Sequence, residues 1–157
     1  MKHTLSILVE NRFGVLARVA GLFSARGYNI DSLAVSETQD SSISRMTVVV
    51  NAEDEKILEQ IKKQLNKLID VITVIDFTKK EYIERELVFV KIAVDNKTLP
   101  QLGKIVQKAK AAFLEKREDY VIVELVNDQE HIRNFLGELK EFKVVELVRT
   151  GRIAIAK

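Results

Sequence analysis

Apolar residues recur at two spacings along the first half of the chain, and these spacings predict a regular order of strands and helices. Short runs rich in β-branched residues predict strands over 3–9, 30–37, 45–51 and 71–77. Apolar residues spaced three to four apart predict helices over 15–23 and 57–68. Gly27 follows the first helix, where a C-terminus favours a left-handed residue. The predicted order is β-α-β-β-α-β.

The second half repeats this order with weaker signals, after a polar stretch, 78–84, that is predicted to be a linker. Strands are predicted over 87–94, 120–126, 144–148 and 153–156, and helices over 99–113 and 129–140. The strand expected between the two helices is weak, because residues 114–117 are Leu-Glu-Lys-Arg. The prediction is an α+β fold of two ferredoxin-like βαββαβ units, 1–77 and 85–157, each an antiparallel sheet with its helices on one face.

Some predicted strands are apolar on both faces, which indicates that the sheet face opposite the helices also packs against protein. Val48, Val49 and Val50 are consecutive, as are Val71 and Ile72. One face of such a strand packs on its own helices, and the other must meet the second unit or another chain. Edge-to-edge pairing of two copies is an equal alternative. The pattern therefore favours an oligomer.

Composition removes several classes of function. The net charge of +2 lacks the basic excess of a nucleic-acid-binding protein. The chain has no cysteine, which excludes disulfides, thiolate nucleophiles and cysteine metal sites. No apolar run approaches a membrane span and no signal peptide is recognisable. We expect a soluble, cytoplasmic chain that binds neither nucleic acid nor membrane.

The constellations that carry catalysis are also missing. His3 and His131 lie in different predicted units, so no metal site is expected. No Gly-rich nucleotide loop, G-x-S-x-G elbow or isolated carboxylate pair is present. Acylphosphatases and RNA-recognition domains share the predicted order of elements, but the phosphate-binding loop of acylphosphatases is absent. The stacking aromatics of an RNA-recognition fold are missing from 45–51. We therefore predict no catalytic residues.

One candidate binding site remains, at the start of the first helix. Asn11 and Gly14 lie in the turn before the helix, and Asn29 lies in the loop after it. Each has a simpler alternative: a helix cap, a turn glycine and a left-handed loop residue. Helix-start N–H groups bind anions, and an amide both donates and accepts. If the fold brings both loops to the same edge of the sheet, they suit a small zwitterion such as an amino acid.

Several segments together carry a family resemblance. They are 8–11 with 14–16, 22–33, 44–47, and 59–65 with 67–68 and 70–71 in the first unit, and 85–87 and 149–151 in the second. The first unit resembles an ACT domain. Over nearly its whole length the chain resembles the regulatory small subunit of acetolactate synthase, also called acetohydroxyacid synthase. Residues 113–118 depart from the family pattern, and Arg12 and Phe13 are bulkier than usual before Gly14.

The resemblance implies a non-catalytic subunit of branched-chain amino acid biosynthesis. Such a subunit activates a catalytic large subunit and confers feedback inhibition by valine. Thiamine diphosphate, Mg and FAD are expected on that partner and no cofactor on this chain. The ACT domain, 1–77, would form a homodimer and bind valine where two copies pair, through Asn11, Gly14 and Asn29 and the backbone around Val15 and Ile30. The alternative is a free-standing amino-acid sensor that controls another protein, and selectivity among valine, leucine and isoleucine stays open.

Overall fold

The computed structural model describes residues 2–52 and 55–157, which form two compact units. The elements of the first half are β1 Lys2–Glu10, α1 Val15–Ser24, β2 Ile30–Glu37, β3 Ile43–Asn51, α2 Glu55–Leu65 and β4 Val71–Asp76. Those that follow are β5 Tyr82–Ala93, α3 Thr98–Ala109, β6 Ala112–Lys116, β7 Tyr120–Asn127, α4 Gln129–Glu138, a 3₁₀ turn Leu139–Glu141, β8 Lys143–Arg149 and β9 Ile153–Ala156. The first unit runs to Ile83 and includes Arg152–Lys157, and the second is Glu84–Gly151.

The first unit is an antiparallel sheet with strand order β2-β3-β1-β4. Because side chains alternate along a strand, Leu5, Ile7 and Val9 of β1 point to the same face, and all three are buried. The core is completed by Met46, Val48 and Val50 of β3, Val15, Val19, Leu22 and Phe23 of α1, and Leu58, Ile61 and Leu65 of α2. β1 therefore lies at the centre of the sheet, and β2 and β4 lie at its edges.

The second unit repeats this arrangement, with strand order β6-β7-β5-β8. Its core is formed by Val88, Val90 and Ile92 of β5, Val121, Val123 and Leu125 of β7, and Leu102, Val106, Ile132 and Phe135 of α3 and α4. Asp128 caps α4 by accepting a hydrogen bond from the His131 N–H at 2.9 Å. The predicted α+β fold of two βαββαβ units is confirmed.

The helix predicted over 99–113 is too long. α3 ends at Ala109, because Lys110 adopts a left-handed φ of 55° and its N–H donates to the carbonyl of the preceding turn. Ala112–Lys116 then pairs with β7 as β6, with a bulge between Phe113 and Glu115. Phe113 packs against the second core. Assigning it to the helix is wrong, since burial of its ring and pairing with β7 override the weak local signal.

The two units differ from the predicted domain bounds at both junctions. β5 begins at Tyr82, so the end of the predicted linker 78–84 is strand. Arg152–Lys157 belongs to the first unit rather than the second. β9 pairs with β5, and the Lys157 N–H donates to the carbonyl of Glu81 at 3.1 Å. The described residues contain no helix long and apolar enough to cross a membrane.

Candidate functional site

Asn11 connects the β1–α1 loop to the β2–β3 turn. Its backbone N–H donates to the carbonyl of Ser42 at 2.7 Å, and its side-chain amide donates to the carbonyl of Ser41 at 2.8 Å. These two bonds hold the loop in place at the end of the sheet. Asn11 is therefore not the cap of α1, and that simpler alternative is wrong.

Gly14 is the residue that caps α1. Its φ of 81° lies in the left-handed region, and it has no side chain that could satisfy the first turn. The first N–H groups of a helix have no partners within the helix, and the helix dipole makes this end positive. Gly14 thus leaves an anion-binding end open at the surface of the first unit.

Arg18 adds a positive side chain to this end, and the sequence did not reveal it. Its Nε donates to Oδ2 of Asp70 at 2.8 Å, and its Nη2 forms an ion pair with the same oxygen at 2.8 Å. Its Nη1 lies 3.1 Å from the position that a Cβ on Gly14 would occupy. Helical side chains lean towards the N-terminus, so a residue four positions after the cap was a candidate. The helix dipole and Arg18 together make the Gly14 end suitable for a carboxylate.

The residues around Gly14 divide into buried and exposed ones. Val15 is 2% exposed, so its side chain belongs to the core, and its N–H donates to the carbonyl of Arg12 at 3.3 Å. Phe13 is fully exposed and Leu16 is 44% exposed. Apolar surface beside the helix start therefore comes from Phe13 and Leu16, whereas Val15 can contribute only backbone.

Asn29 and Asp31 form a second polar group at the start of β2, on either side of Ile30, whose side chain packs against the first core. The side-chain amide of Asn29 donates to Oδ1 of Asp31 at 2.6 Å, and Lys2 lies 3.1 Å from the other carboxylate oxygen. Hydrogen bonds from Lys2 and Asn29 hold the pKa of Asp31 below its ordinary value. Among the described residues none donates to the side-chain carbonyl of Asn29, so this oxygen and the Asp31 carboxylate can accept from an ammonium group.

The structure does not bring the two groups together within one chain. Ile30 pairs with Val50, which is opposite His3 near the start of β1, whereas Asn11 follows the end of β1. The nine residues of β1 separate these ends by about 26 Å at a strand's rise per residue. The expectation that the fold brings both loops to one edge is therefore wrong for a single chain. The chain crosses the sheet in α1, so the loops before and after this helix lie at opposite ends.

Each of the two histidines has a polar side chain within hydrogen-bond distance. His3 Nδ1 lies 3.0 Å from the Thr78 hydroxyl, and His131 Nδ1 lies 2.7 Å from the Asp128 carboxylate. Within residues 2–52 and 55–157, no group of three or more His, Asp or Glu side chains is placed to hold a metal ion. The β1–α1 loop and the start of β2 remain the candidate site.

Comparison with known proteins gives the same family for both units. The family model for an AHAS small subunit-like ACT domain matches residues 5–73, and the model for the small subunit of acetolactate synthase matches residues 85–157. The chain is 40% identical to a probable acetolactate synthase small subunit of Archaeoglobus fulgidus, over 100% of this chain and 98% of that one. It is 36% identical to the acetolactate synthase small subunit of Bacillus subtilis, over 100% and 91%.

A solved structure extends this similarity to three dimensions. The acetolactate synthase small subunit of Thermotoga maritima superposes with a TM-score of 0.90 at 30% identity, covering 100% of this chain and 98% of that one. The sequence comparison and the structural comparison therefore indicate the same family over the whole of this chain. The chain belongs to the family of acetolactate synthase small subunits, the regulatory subunits that carry an ACT domain.

Proposed function

We propose that this chain activates the catalytic large subunit of acetolactate synthase and confers feedback inhibition by valine. Valine would bind at two equivalent sites, each shared between the first units of two chains. The supporting observation is that the two polar groups lie at opposite ends of one sheet, beside the edge strand β2. The Gly14 end offers helix-start N–H groups and Arg18 for a carboxylate, and the start of β2 offers Asn29 and Asp31 for an ammonium group.

A two-fold dimer through β2 would complete both sites at once. If two copies of β2 pair antiparallel about their midpoint, Ile30 of one copy lies beside Glu37 of the other. Glu37 pairs with Ser44, which pairs with Val9, so this is the end of the sheet that carries Asn11 and Gly14. The same symmetry places the reciprocal pair at the other end.

Exposed apolar residues support the choice of β2 as the pairing edge. Helical geometry places Leu16 on the side of α1 opposite Arg18, which is held towards β4 by Asp70. Leu16 therefore lies towards β2, where Val35 is also exposed, at 44% and 41% respectively. A second copy would cover both side chains.

The chemistry of each shared site matches a branched-chain amino acid. The helix-start N–H groups and the Arg18 guanidinium would bind the carboxylate. The Asn29 carbonyl and the Asp31 carboxylate from the other copy would accept from the ammonium group. Phe13 and Leu16 offer apolar surface for the isopropyl group. Thiamine diphosphate, Mg and FAD would belong to the catalytic subunit, where bond-making takes place.

Two measurements test this proposal. Calorimetric titration of the isolated chain with valine should give saturable heat, and mixing with a catalytic subunit should raise its rate of acetolactate formation until valine lowers it. Gly14→Asp places a carboxylate beside that of the ligand and should abolish the inhibition while activation persists. Activation without any valine response would contradict the effector site. Valine binding without any effect on acetolactate formation would favour a free-standing sensor.

Mixed dimers test whether the site is shared. Gly14→Asp and Asn29→Ala chains should each lose valine binding alone. A dimer with one chain of each kind contains one site built from intact Gly14 of one copy and intact Asn29 of the other. Valine binding should therefore return to one site per mixed dimer. If the mixed dimer stays inactive towards valine, the two groups are not shared in this way.

A further inference from the structure

Arg152 is a buried arginine that lies on the first unit although it follows the last residues of the second. It is 8% exposed, and its Nη1 donates to the buried Thr4 hydroxyl at 2.9 Å. Its backbone N–H donates to the Ser32 hydroxyl at 3.0 Å. Thr4 and Ser32 are both opposite Val49, one from β1 and one from β2. Arg152 therefore connects β1 and β2 across β3, on the sheet face that does not carry the helices.

The Ser32 bond places Arg152 next to the candidate effector site. The register of β2 against β3 shifts between Ile30 and Ser32, so Asp31 sits in a bulge. This is the residue whose carboxylate accepts from Asn29 and from Lys2. An ammonium group that replaced Asn29 or Lys2 at the Asp31 carboxylate would change the bonds inside the bulge. Arg152 is bonded to the residue at which the bulge ends.

The residues just before Arg152 are fixed to the second unit. Arg149 donates from Nε and Nη2 to the two carboxylate oxygens of Glu86, both at 2.7 Å. The Glu86 carboxylate raises the pKa of Arg149 above its ordinary value. Thr150 exchanges two bonds with Leu87: its N–H donates to the Leu87 carbonyl and its hydroxyl accepts from the Leu87 N–H, both at 3.1 Å.

Only Gly151 separates these two sets of bonds. Its φ of 82° lies in the left-handed region, which residues other than glycine rarely adopt. Three of four consecutive residues are thus held by hydrogen bonds, two on the second unit and one on the first. The chain between the Ser32 bond and the Leu87 bonds is therefore a single residue long.

We propose that Arg149–Arg152 passes the effector state of the first unit to the second, with Arg152 as the residue that positions the β2 bulge. This inference rests on the proposed valine site. Binding at Asn29 and Asp31 changes the bulge, the Ser32 hydroxyl moves with it, and the displacement reaches β5 and β8 through Arg149 and Thr150. Transmission of this kind requires the ligand to favour one arrangement of the bulge over another.

The test removes the Ser32 contact and compares valine binding with the response to valine. Ser32→Ala should change the valine Kd of the isolated chain less than about threefold, because Ser32 does not face the ligand. In the enzyme reconstituted with its catalytic subunit, the fold-inhibition at saturating valine should fall about two- to tenfold, the loss expected for one hydrogen bond. Ser36→Ala, an exposed serine of the same strand and face, is the matched control and should behave as wild type.

Hydrogen exchange supplies a readout that does not involve the catalytic subunit. In the wild type, valine should change the exchange of peptides that contain residues 85–88 and 149–152. In Ser32→Ala that change should disappear, while thermal denaturation and exchange without valine stay close to wild type. Arg152→Lys keeps the backbone N–H and a cation that can reach Thr4, so its response should be retained, whereas Arg152→Ala should lose it.

The outcomes distinguish failure of the proposed valine site from failure of the inference about Arg149–Arg152. If wild-type protein shows no valine response by calorimetry or exchange, the valine site is refuted and this inference with it. If wild type responds and Ser32→Ala responds equally, only the inference is overturned. Equal loss in Ser32→Ala and Ser36→Ala also overturns it, because the effect is then not specific to the Arg152 contact. If Arg152→Ala does not fold, Ser32→Ala and Arg152→Lys decide the question.

Discussion

At the scale of single residues, Gly14 combines a backbone requirement with the binding role proposed above. A Cβ at its φ of 81° is strained, at a cost of about 1–2 kcal/mol, and it would approach Arg18 Nη1 at 3.1 Å. Gly14→Ala should therefore lower the free energy of unfolding by about 1 kcal/mol and weaken valine binding. Urea denaturation and calorimetry measure the two effects.

The matched control for Gly14→Ala is Gly21→Ala. Gly21 lies within α1, and a Cβ built on it has no atom within 4 Å outside its own helix and chain neighbours. Alanine should raise the free energy of unfolding there by about 0.5–1 kcal/mol, because it favours the helix. Two identical substitutions seven residues apart should thus have opposite signs. The same sign at both sites would contradict the assigned role of the Gly14 backbone.

Asp128 gives a prediction with a defined pH dependence. Hydrogen bonds from the His131 N–H and then from its ring hold the pKa of Asp128 below the ordinary 3.8. A lowered folded-state pKa means that the stabilisation is present above the unfolded pKa and disappears as pH falls through the folded one. Asp128→Ala should cost about 1 kcal/mol at neutral pH, as for other N-caps. The difference from wild type should shrink as the pH falls below 3.8.

Urea denaturation across this pH range tests the Asp128 prediction, with Glu118→Ala as the control. Glu118 is an exposed acidic residue in the turn between β6 and β7. Its removal should change stability little at either pH. A difference between Asp128→Ala and wild type that persists unchanged in acid would show that the carboxylate is not the stabilising group.

The sequence predicts single residues well only where their role is local. Gly27 adopts the left-handed φ expected after a helix, at 70°. Asn11 was a plausible cap, but the Ser41 carbonyl, 30 residues away in sequence, takes its amide instead. Arg18 was overlooked because its position depends on Asp70, a partner 52 residues away. Such long-range partners are set by strand pairing, which residue spacing does not encode.

At the scale of elements, hydrophobic periodicity predicts what is buried on one face and fails where a strand is short. The elements of the first unit follow the apolar spacing because each places apolar residues in or against the core. β6 has only five residues, with a bulge, and its pairing with β7 decides its conformation. The apolar residues at the end of α3 are therefore shared by two elements, and the periodicity runs across the boundary between them.

Lys110 marks that boundary and allows a test. It is the non-glycine residue with positive φ among those described, and it ends α3 in the left-handed conformation. Lys110→Gly should raise the free energy of unfolding by up to about 1 kcal/mol, because glycine adopts this φ without strain. Lys104→Gly, at an exposed position within α3, should lower it by about 1 kcal/mol. If Lys110→Gly destabilises as much as Lys104→Gly, the boundary is misplaced.

At the scale of the whole molecule, the order of the chain is a poor guide to its units. Residues 152–157 follow the second unit in sequence but belong to the first, where Arg152 donates to Ser32 and Thr4. No local pattern distinguishes this last strand from the others. The two βαββαβ units were predictable because each carries its own periodicity, whereas the return of the chain end depends on contacts 120 and 148 residues apart.

The proposed dimer through β2 can be tested by one charge on each edge of the first sheet. Val35 of β2 and Ile72 of β4 are both exposed in the chain, at 41% and 53%, so glutamate at either site should leave the fold intact. Val35→Glu places an unpaired carboxylate in the proposed interface and should weaken the dimer at least about tenfold. Ile72→Glu should not. Sedimentation across protein concentration distinguishes them, and the reverse result would assign the dimer to β4.

If valine binds as proposed, the separation of the two polar groups by the length of β1 means that the ligand itself holds two chains together. A single chain holds half of each of the two proposed sites, so valine binding would require two chains and would be second order in chain concentration. With two sites per dimer, valine at a hundred times its Kd multiplies the association constant of the chains by about ten thousand. Diluting the protein should abolish valine sensitivity, and the abundance of the subunit would set the valine level to which the pathway responds.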